Sequence, residues 1–167
     1  MWKFLILQQF GVLTKKSYPV KVMNFNKKRK KSYISYTLNT QSLFKKERTF
    51  FYNSDSKKML PLNFEEILDP QVLALWFMDD GGQGGNTVDG LVIDVSSFTT
   101  HEQFLIQKVL NKKFHLKTSL HYYNKKKNYV KLYFKKKTVH VFKKLIKPYV
   151  IPSLQYKLGR GGYKFYL

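Results

Sequence analysis

Residues 69–82, DPQVLALWFMDDGG, constrain the fold more than any other stretch of the chain. Asp69 suits an N-cap, Pro70 the first helical position and Gly81 the C′ position, so the spacing predicts a helix over 70–80. At 1.5 Å per residue that helix is about 16 Å long. From Val72 to Met78 it is apolar nearly all round, which predicts burial on most sides. It then runs into Asp79 and Asp80 at the end where the helix dipole is negative. Each acid placed there costs ~0.3–1 kcal/mol unless a cation compensates.

The rest of the chain supplies pieces of a core for that helix. Residues 2–10 read as a short helix or buried segment ending at Gly11. SYISYTLNT, 32–40, alternates, with Ile34, Tyr36 and Leu38 on one face and Tyr33, Ser35 and Thr37 on the other, the pattern of a half-buried strand. Residues 43–52 look helical, and Asn63 with Glu66 has capping-box spacing for a brief helix. GGQGGNTVDG, 81–90, reads as a loop and LVIDV, 91–95, as a strand. Thr99 with Glu102 predicts a second capping box, opening a helix to about Phe114 that buries Leu105, Ile106, Val109 and Leu110. KTSLHYY and NYVKLYF alternate as two strands joined by NKKK, and a last helix starts at Thr138 and stops before Pro148. The order predicts an α+β fold with an antiparallel sheet on each side of the buried helix.

Charge narrows the partner. The 167 residues carry a net charge of +21 with only ten acids. Residues 1–46 hold eleven Lys or Arg and no acid, residues 103–167 hold seventeen and no acid, and every acid lies between Glu47 and Glu102. Two polycationic flanks around an acidic centre predict a phosphate-rich partner; a solvated surface or an anionic membrane is the plainer alternative. Cysteine is absent, which excludes disulfides and cysteine-ligated zinc or iron–sulfur sites. No apolar run reaches the ~18 residues a membrane span needs. The start, MWKFLILQQF, has no A-x-A-like site after it, so a signal peptide is poorly supported. The bias toward Lys, Phe, Tyr, Asn and Ile fits an AT-rich coding sequence such as an organellar genome.

Several residues are candidates for contact with such a partner. The tract NKKRKK forms a basic turn with Lys27, Lys28, Arg29, Lys30 and Lys31. On the first of the two late strands Lys117, Ser119, His121 and Tyr123 share a face, and on the second Lys131, Tyr133 and Lys135 share one. Lys125, Lys126 and Lys127 sit in the turn between them, and the tail GRGGYKFYL adds Arg160 and Lys164. A cationic, aromatic sheet face suits a nucleic-acid groove, and an ordinary solvated sheet face has the same pattern. Asp79 and Asp80 suit a hard cation such as Mg²⁺, which takes oxygen ligands and assists phosphodiester hydrolysis; a solvated helix end followed by a glycine turn is the alternative. GGQGG lacks a following Lys-Ser or Lys-Thr and is not a P-loop. The four histidines show no metal-ligand spacing, and no Ser-His-Asp arrangement is readable.

LALWFMDDGG resembles the LAGLIDADG motif of homing endonucleases, in the branch that reads L-A-x-W-F-M-D-D-G. Residues 57–82 resemble that branch's approach to the motif helix, 95–117 the strand and helix after it, and 143–158 its C-terminal signature. The resemblance covers roughly residues 30–158. It implies two motif helices packed about a two-fold or pseudo-two-fold axis, each ending in an acid that binds a divalent metal at a scissile phosphate. The flanking sheets then form a saddle over the DNA major groove. Aligned on the motif, Asp80 is the metal-binding acid and Asp79 its neighbour. Lys58 and Lys157 resemble basic residues near the active centres, so the implied catalytic set is Asp80, Lys157 and Lys58.

The same comparison implies a departure. Residues 1–69 resemble the later part of a first subdomain, with no acid-bearing helix found among them, while 70–158 resemble a complete second subdomain and 159–167 a basic aromatic tail. The expectation is therefore a LAGLIDADG-like fold incomplete in its N-terminal half. It is expected to bind nucleic acid, RNA ahead of DNA, without cleaving it. The setting would be an organellar ribonucleoprotein, in the mitochondrion ahead of the chloroplast, such as a ribosome or an intron. The rival expectation is an active Mg²⁺-dependent double-strand endonuclease completed in trans by a second protein fragment.

Overall fold

The computed structural model describes residues 20–26, 30–37, 45–84, 90–124 and 129–159. The chain forms two compact units, Met1–Thr49 and Phe50–Leu167. In the first, strands β1 (Val20–Asn26) and β2 (Lys31–Thr37) pair antiparallel, with Val20 opposite Thr37 and Asn26 opposite Lys31. The resemblance implies two strands in this segment, but residue alternation gives bounds only to the second, although VKVMNFN alternates half-buried and exposed residues throughout. Its interspersed Lys and Asn dilute the hydrophobic signal. Asn24 Nδ2 donates to Ser35 Oγ at 2.6 Å, a polar cross-strand tie. On β2 both Tyr33 and Ile34 are at least half exposed, so no face of its described side chains is buried in the way the alternation predicts. The expected helix over 2–10 lies outside the described residues. Helix α1 (Lys45–Phe51) crosses the junction between the units.

The second unit contains α2 (Phe64–Ile67), α3 (Pro70–Asp80), β3 (Gly81–Gln83), β4 (Leu91–Asp94), α4 (Thr100–Phe114), β5 (Thr118–Asn124), β6 (Tyr129–Phe134) and α5 (Lys136–Ile146). Two 3₁₀ segments, Lys147–Tyr149 and Pro152–Leu158, follow. The strands form one antiparallel sheet in the order β3-β4-β6-β5. Leu60, Phe64 and Leu68 are buried within this unit, and Phe64 meets Trp76 edge-on at 6.2 Å.

Helix α3 has the predicted bounds. Asp69 Oδ1 accepts the Val72 N–H at 2.7 Å, and Pro70 opens the first turn, where its missing N–H costs nothing. Burial is one-sided rather than all round: Leu73, Ala74, Phe77 and Met78 are enclosed, Leu75 and Trp76 are half-buried, and Val72 is 37% exposed. Phe77 packs edge-on to Phe142 at 5.3 Å, and Phe142 stacks on Phe134 at 3.9 Å, joining α3, α5 and β6 in one core.

Gly81 departs from the expected left-handed C′ turn. Its φ is −95° and its ψ 165°, so the helix passes straight into β3. Glycine is needed there for space: a Cβ would overlap the Phe77 ring and lie 2.5 Å from the Phe77 carbonyl oxygen. The Thr99–Glu102 capping box forms in full, whereas Asn63 makes no side-chain cap and its backbone carbonyl accepts from Glu66 and Ile67 instead. On α4, Leu105 turns outward at 38% exposure and Gln103 is buried in its place, where its Nε2 donates to the Val95 and Phe98 carbonyls at 3.2 and 2.9 Å. Helix α5 starts two residues before Thr138, whose hydroxyl donates to the Lys117 and Lys135 carbonyls, both at 3.0 Å. It thereby ties the helix to the neighbouring strand ends.

Candidate nucleic-acid interface and acid site

The C-terminal end of α3 gathers groups far apart in sequence. Lys157, on the last 3₁₀ segment, donates from Nζ to the Met78 carbonyl at 2.7 Å and toward that of Asp79 at 3.5 Å. An ammonium on these last carbonyls meets the negative end of the helix dipole, the position where a cation is worth ~0.3–1 kcal/mol. Gln83 Nε2 donates to the Tyr156 carbonyl at 3.3 Å, holding the same segment against β3. Lys58 Nζ stands 3.8 Å from Asp80 Oδ2, and both side chains are about one-third exposed. That pair is worth at most ~1 kcal/mol and is displaceable. The Lys58 ammonium also lies 5.2 Å above the Phe98 ring, which in turn meets Trp76 at 6.0 Å. The two acids therefore have the compensating cations that the helix dipole calls for, and Lys58 and Lys157 reach them from residues 22 positions before and 77 after Asp80.

Lys58 is held in place from α4. Glu102 Oε1 accepts the Leu60 N–H at 2.6 Å, while its Oε2 accepts the Thr99 N–H and hydroxyl, each at 2.7 Å. Partial burial raises the Glu102 pKa, but these hydrogen bonds outweigh it and leave the carboxyl below its ordinary value. Sequence reasoning recognised Glu102 as a helix cap. That it also anchors the Lys58 segment, 42 residues away, has no local signal.

The sheet extends from this point. Cross-strand pairing sets Gly82 opposite Val92, Val92 opposite Tyr133 and Tyr133 opposite Ser119, one row in which Val92 is buried. The next row pairs Asp94 with Lys131 and Lys131 with His121. His121 stacks on Tyr133 at 5.0 Å, Ser119 Oγ lies 3.0 Å from His121 Nε2, and Lys131 sits 5.3 Å above the Tyr123 ring. The structure thus brings Ser119, His121, Tyr123, Lys131 and Tyr133 together on one face of β5 and β6. Lys117 and Lys135 flank the strands, with the Lys135 N–H on the Lys117 carbonyl at 2.9 Å. Lys30, at a left-handed turn position, and Lys31 are exposed in the first unit. Lys27, Lys28, Arg29, Lys125, Lys126, Lys127, Arg160 and Lys164 lie outside the described residues.

The donor set at the helix end fits a hard divalent cation. Asp79 and Asp80 offer carboxylate oxygens, and water and a phosphate can complete the shell. Among the described residues no group of three or more His, Asp or Glu could hold a metal ion.

These features define a class. The model of the LAGLIDADG DNA endonuclease family matches residues 1–142, and the chain belongs to that family. It is 35% identical over 105 residues to cytochrome b mRNA maturase bI2 of Debaryomyces hansenii, covering 63% of this chain and 38% of that protein. It is 33% identical over 131 residues to intron-encoded endonuclease ai4 of Dictyostelium discoideum, covering 76% of each. The fold matches the homing endonuclease I-WcaI bound to its DNA recognition sequence with a TM-score of 0.81 at 27% identity, over 94% of this chain and 70% of that one. The match thus spans well under half of the maturase. No helix among the described residues is long and apolar enough to cross a membrane.

Proposed function

We propose that this chain is a nucleic-acid-binding LAGLIDADG protein that binds intron RNA in an organelle and does not by itself cut both strands of duplex DNA. The observation that carries the reading is the aromatic and cationic face of β5 and β6, where His121, Tyr123, Lys131 and Tyr133 meet, in the same sheet as β3, which follows the acid-bearing end of α3. Ring faces stack on bases, and ammonium groups meet phosphates. The maturase relatives support RNA as the partner, and the intron-encoded relative supports an intron setting in an organelle, for which the mitochondrion is our reading.

Cutting two strands requires acids at two phosphates, and α3 is the one described helix that ends in an acid pair. Asp80, assisted by Asp79, would hold Mg²⁺ at a single phosphate, where the ion would neutralise charge and lower the pKa of a bound water. Lys58 beside Asp80 and Lys157 on the last carbonyls of α3 would hold the helix end in place.

A second reading has an observation of its own. Val72, Leu75 and Trp76 leave one flank of α3 partly exposed, and a second protein fragment that supplied another acid-bearing helix against that flank would make an active endonuclease. A Mg²⁺ cleavage assay on intron-less duplex DNA, with the wild-type chain beside Asp80→Asn, separates the two. Binding without double-strand cleavage is expected from the isolated chain. Cleavage that disappears in Asp80→Asn overturns the first reading.

A further inference from the structure

The helix-covered side of the sheet carries a feature that the open face does not use. A groove of about 320 Å³ lies where α4 meets the free edge of the sheet, lined by Gln107, Lys108, Asn111, Lys117, Thr118 and Lys135. The lysines come from three separate segments: α4, the approach to β5 and the exit from β6. Their backbones are fixed. Thr118 pairs with Phe134 on the helix-covered face, Gln107 Nε2 donates to Thr118 Oγ1 at 3.3 Å, and the Thr138 hydroxyl bridges the Lys117 and Lys135 carbonyls.

No ion pair is found for Lys108, Lys117 or Lys135 among the described residues. Glu65, whose carboxyl feels Lys108 at a distance, is itself paired with Lys112 at 2.6 Å. Residues 103–167 contribute no acid at all. Three ammonium groups set around a groove repel one another unless an anion enters, and the Asn111 amide adds a neutral donor. The volume suits one nucleotide unit, and the cationic rim suits its phosphate.

We infer that this groove is a second phosphodiester-backbone site, on the side of the sheet opposite the stacking face, so that a nucleic-acid strand rounding the β5 edge is held on both sides. This rests on the nucleic-acid reading above and adds a location to it. Strand β5 is the edge of the sheet, with Ser119 and His121 on one side and the Thr118 groove on the other, so the path from face to groove is one strand wide.

Lysine acetylation of the full chain with an amine-reactive reagent, read by mass spectrometry with and without RNA, tests the placement in the unaltered protein. Protection of Lys108, Lys117 and Lys135 together with Lys131 is expected. Protection of Lys131 alone overturns the groove and leaves the nucleic-acid reading standing, whereas protection of neither sinks both. Duplex DNA of equal length in a parallel arm tells which nucleic acid supplies the phosphate. In the triple variant Lys108→Gln, Lys117→Gln, Lys135→Gln, the plot of log affinity against log salt should become shallower by about 1–2 units for single-stranded RNA. An unchanged slope in a variant with unaltered circular dichroism also overturns the groove.

Discussion

The two ends of α3 carry the same residue type to opposite effect. At the N-terminus Asp69 accepts the Val72 N–H and faces the positive end of the dipole, so its carboxylate stabilises the helix without help. At the C-terminus Asp79 and Asp80 face the negative end and are tolerated because Lys157 sits on the last carbonyls and Lys58 beside Asp80. One end is a folding signal that works within four residues. The other is assembled from segments almost a hundred residues apart, which stability alone does not require. The metal role proposed for Asp80 would account for acids placed where they cost free energy.

The contrast can be broken by substitution. The largest effect is expected at the junction itself: Gly81→Ala should cost about 1–3 kcal/mol in urea denaturation, since its methyl must displace Phe77 from the core. A near-neutral result would mean that the α3–β3 passage is looser than its packing suggests. Next, Asp69→Ala should cost about 1 kcal/mol, seen as a fall of several degrees in Tm. The acid limb of stability offers a comparable test. Glu102, with its folded pKa lowered, stabilises fully above its unfolded value near 4.5 and loses that contribution as pH falls through the folded value. Glu102→Gln should therefore lower stability at pH 7 and flatten the decline below about pH 4.5. The smallest effect on stability, within about 0.5 kcal/mol, is expected for Asp80→Asn, because relief at the negative helix end offsets the loss of the weak Lys58 pair. If Asp80→Asn instead cost as much as Asp69→Ala, the two ends would be equivalent structural features and the case for a functional C-terminus would fall.

Much of this was legible from residue order. The bounds of α3, the Thr99–Glu102 capping box and the alternation that places Ser119, His121 and Tyr123 on one face of β5 all follow from interactions within a few positions. Elsewhere the neighbours decided. Gly81 is extended rather than left-handed because the chain enters a sheet there. Leu105 faces outward and Gln103 inward because α4 must satisfy the Val95 and Phe98 carbonyls of the preceding loop. Lys117 and Lys135 looked like more of the sheet face, since alternation assigns sides of a strand but not what lies beyond its ends, and Lys108 on α4 drew no notice.

By itself, then, the sequence determined where the acid-bearing helix begins and ends and which residues share a face of β5 and of β6, because capping and strand alternation act over short range. Only the tertiary structure decided that Lys58 and Lys157 meet the end of that helix, that Glu102 anchors Lys58 through Leu60, and that three lysines close around one groove. Those arrangements depend on which distant segments pack together, and pairwise proximity across the core leaves no periodic trace in the order of residues.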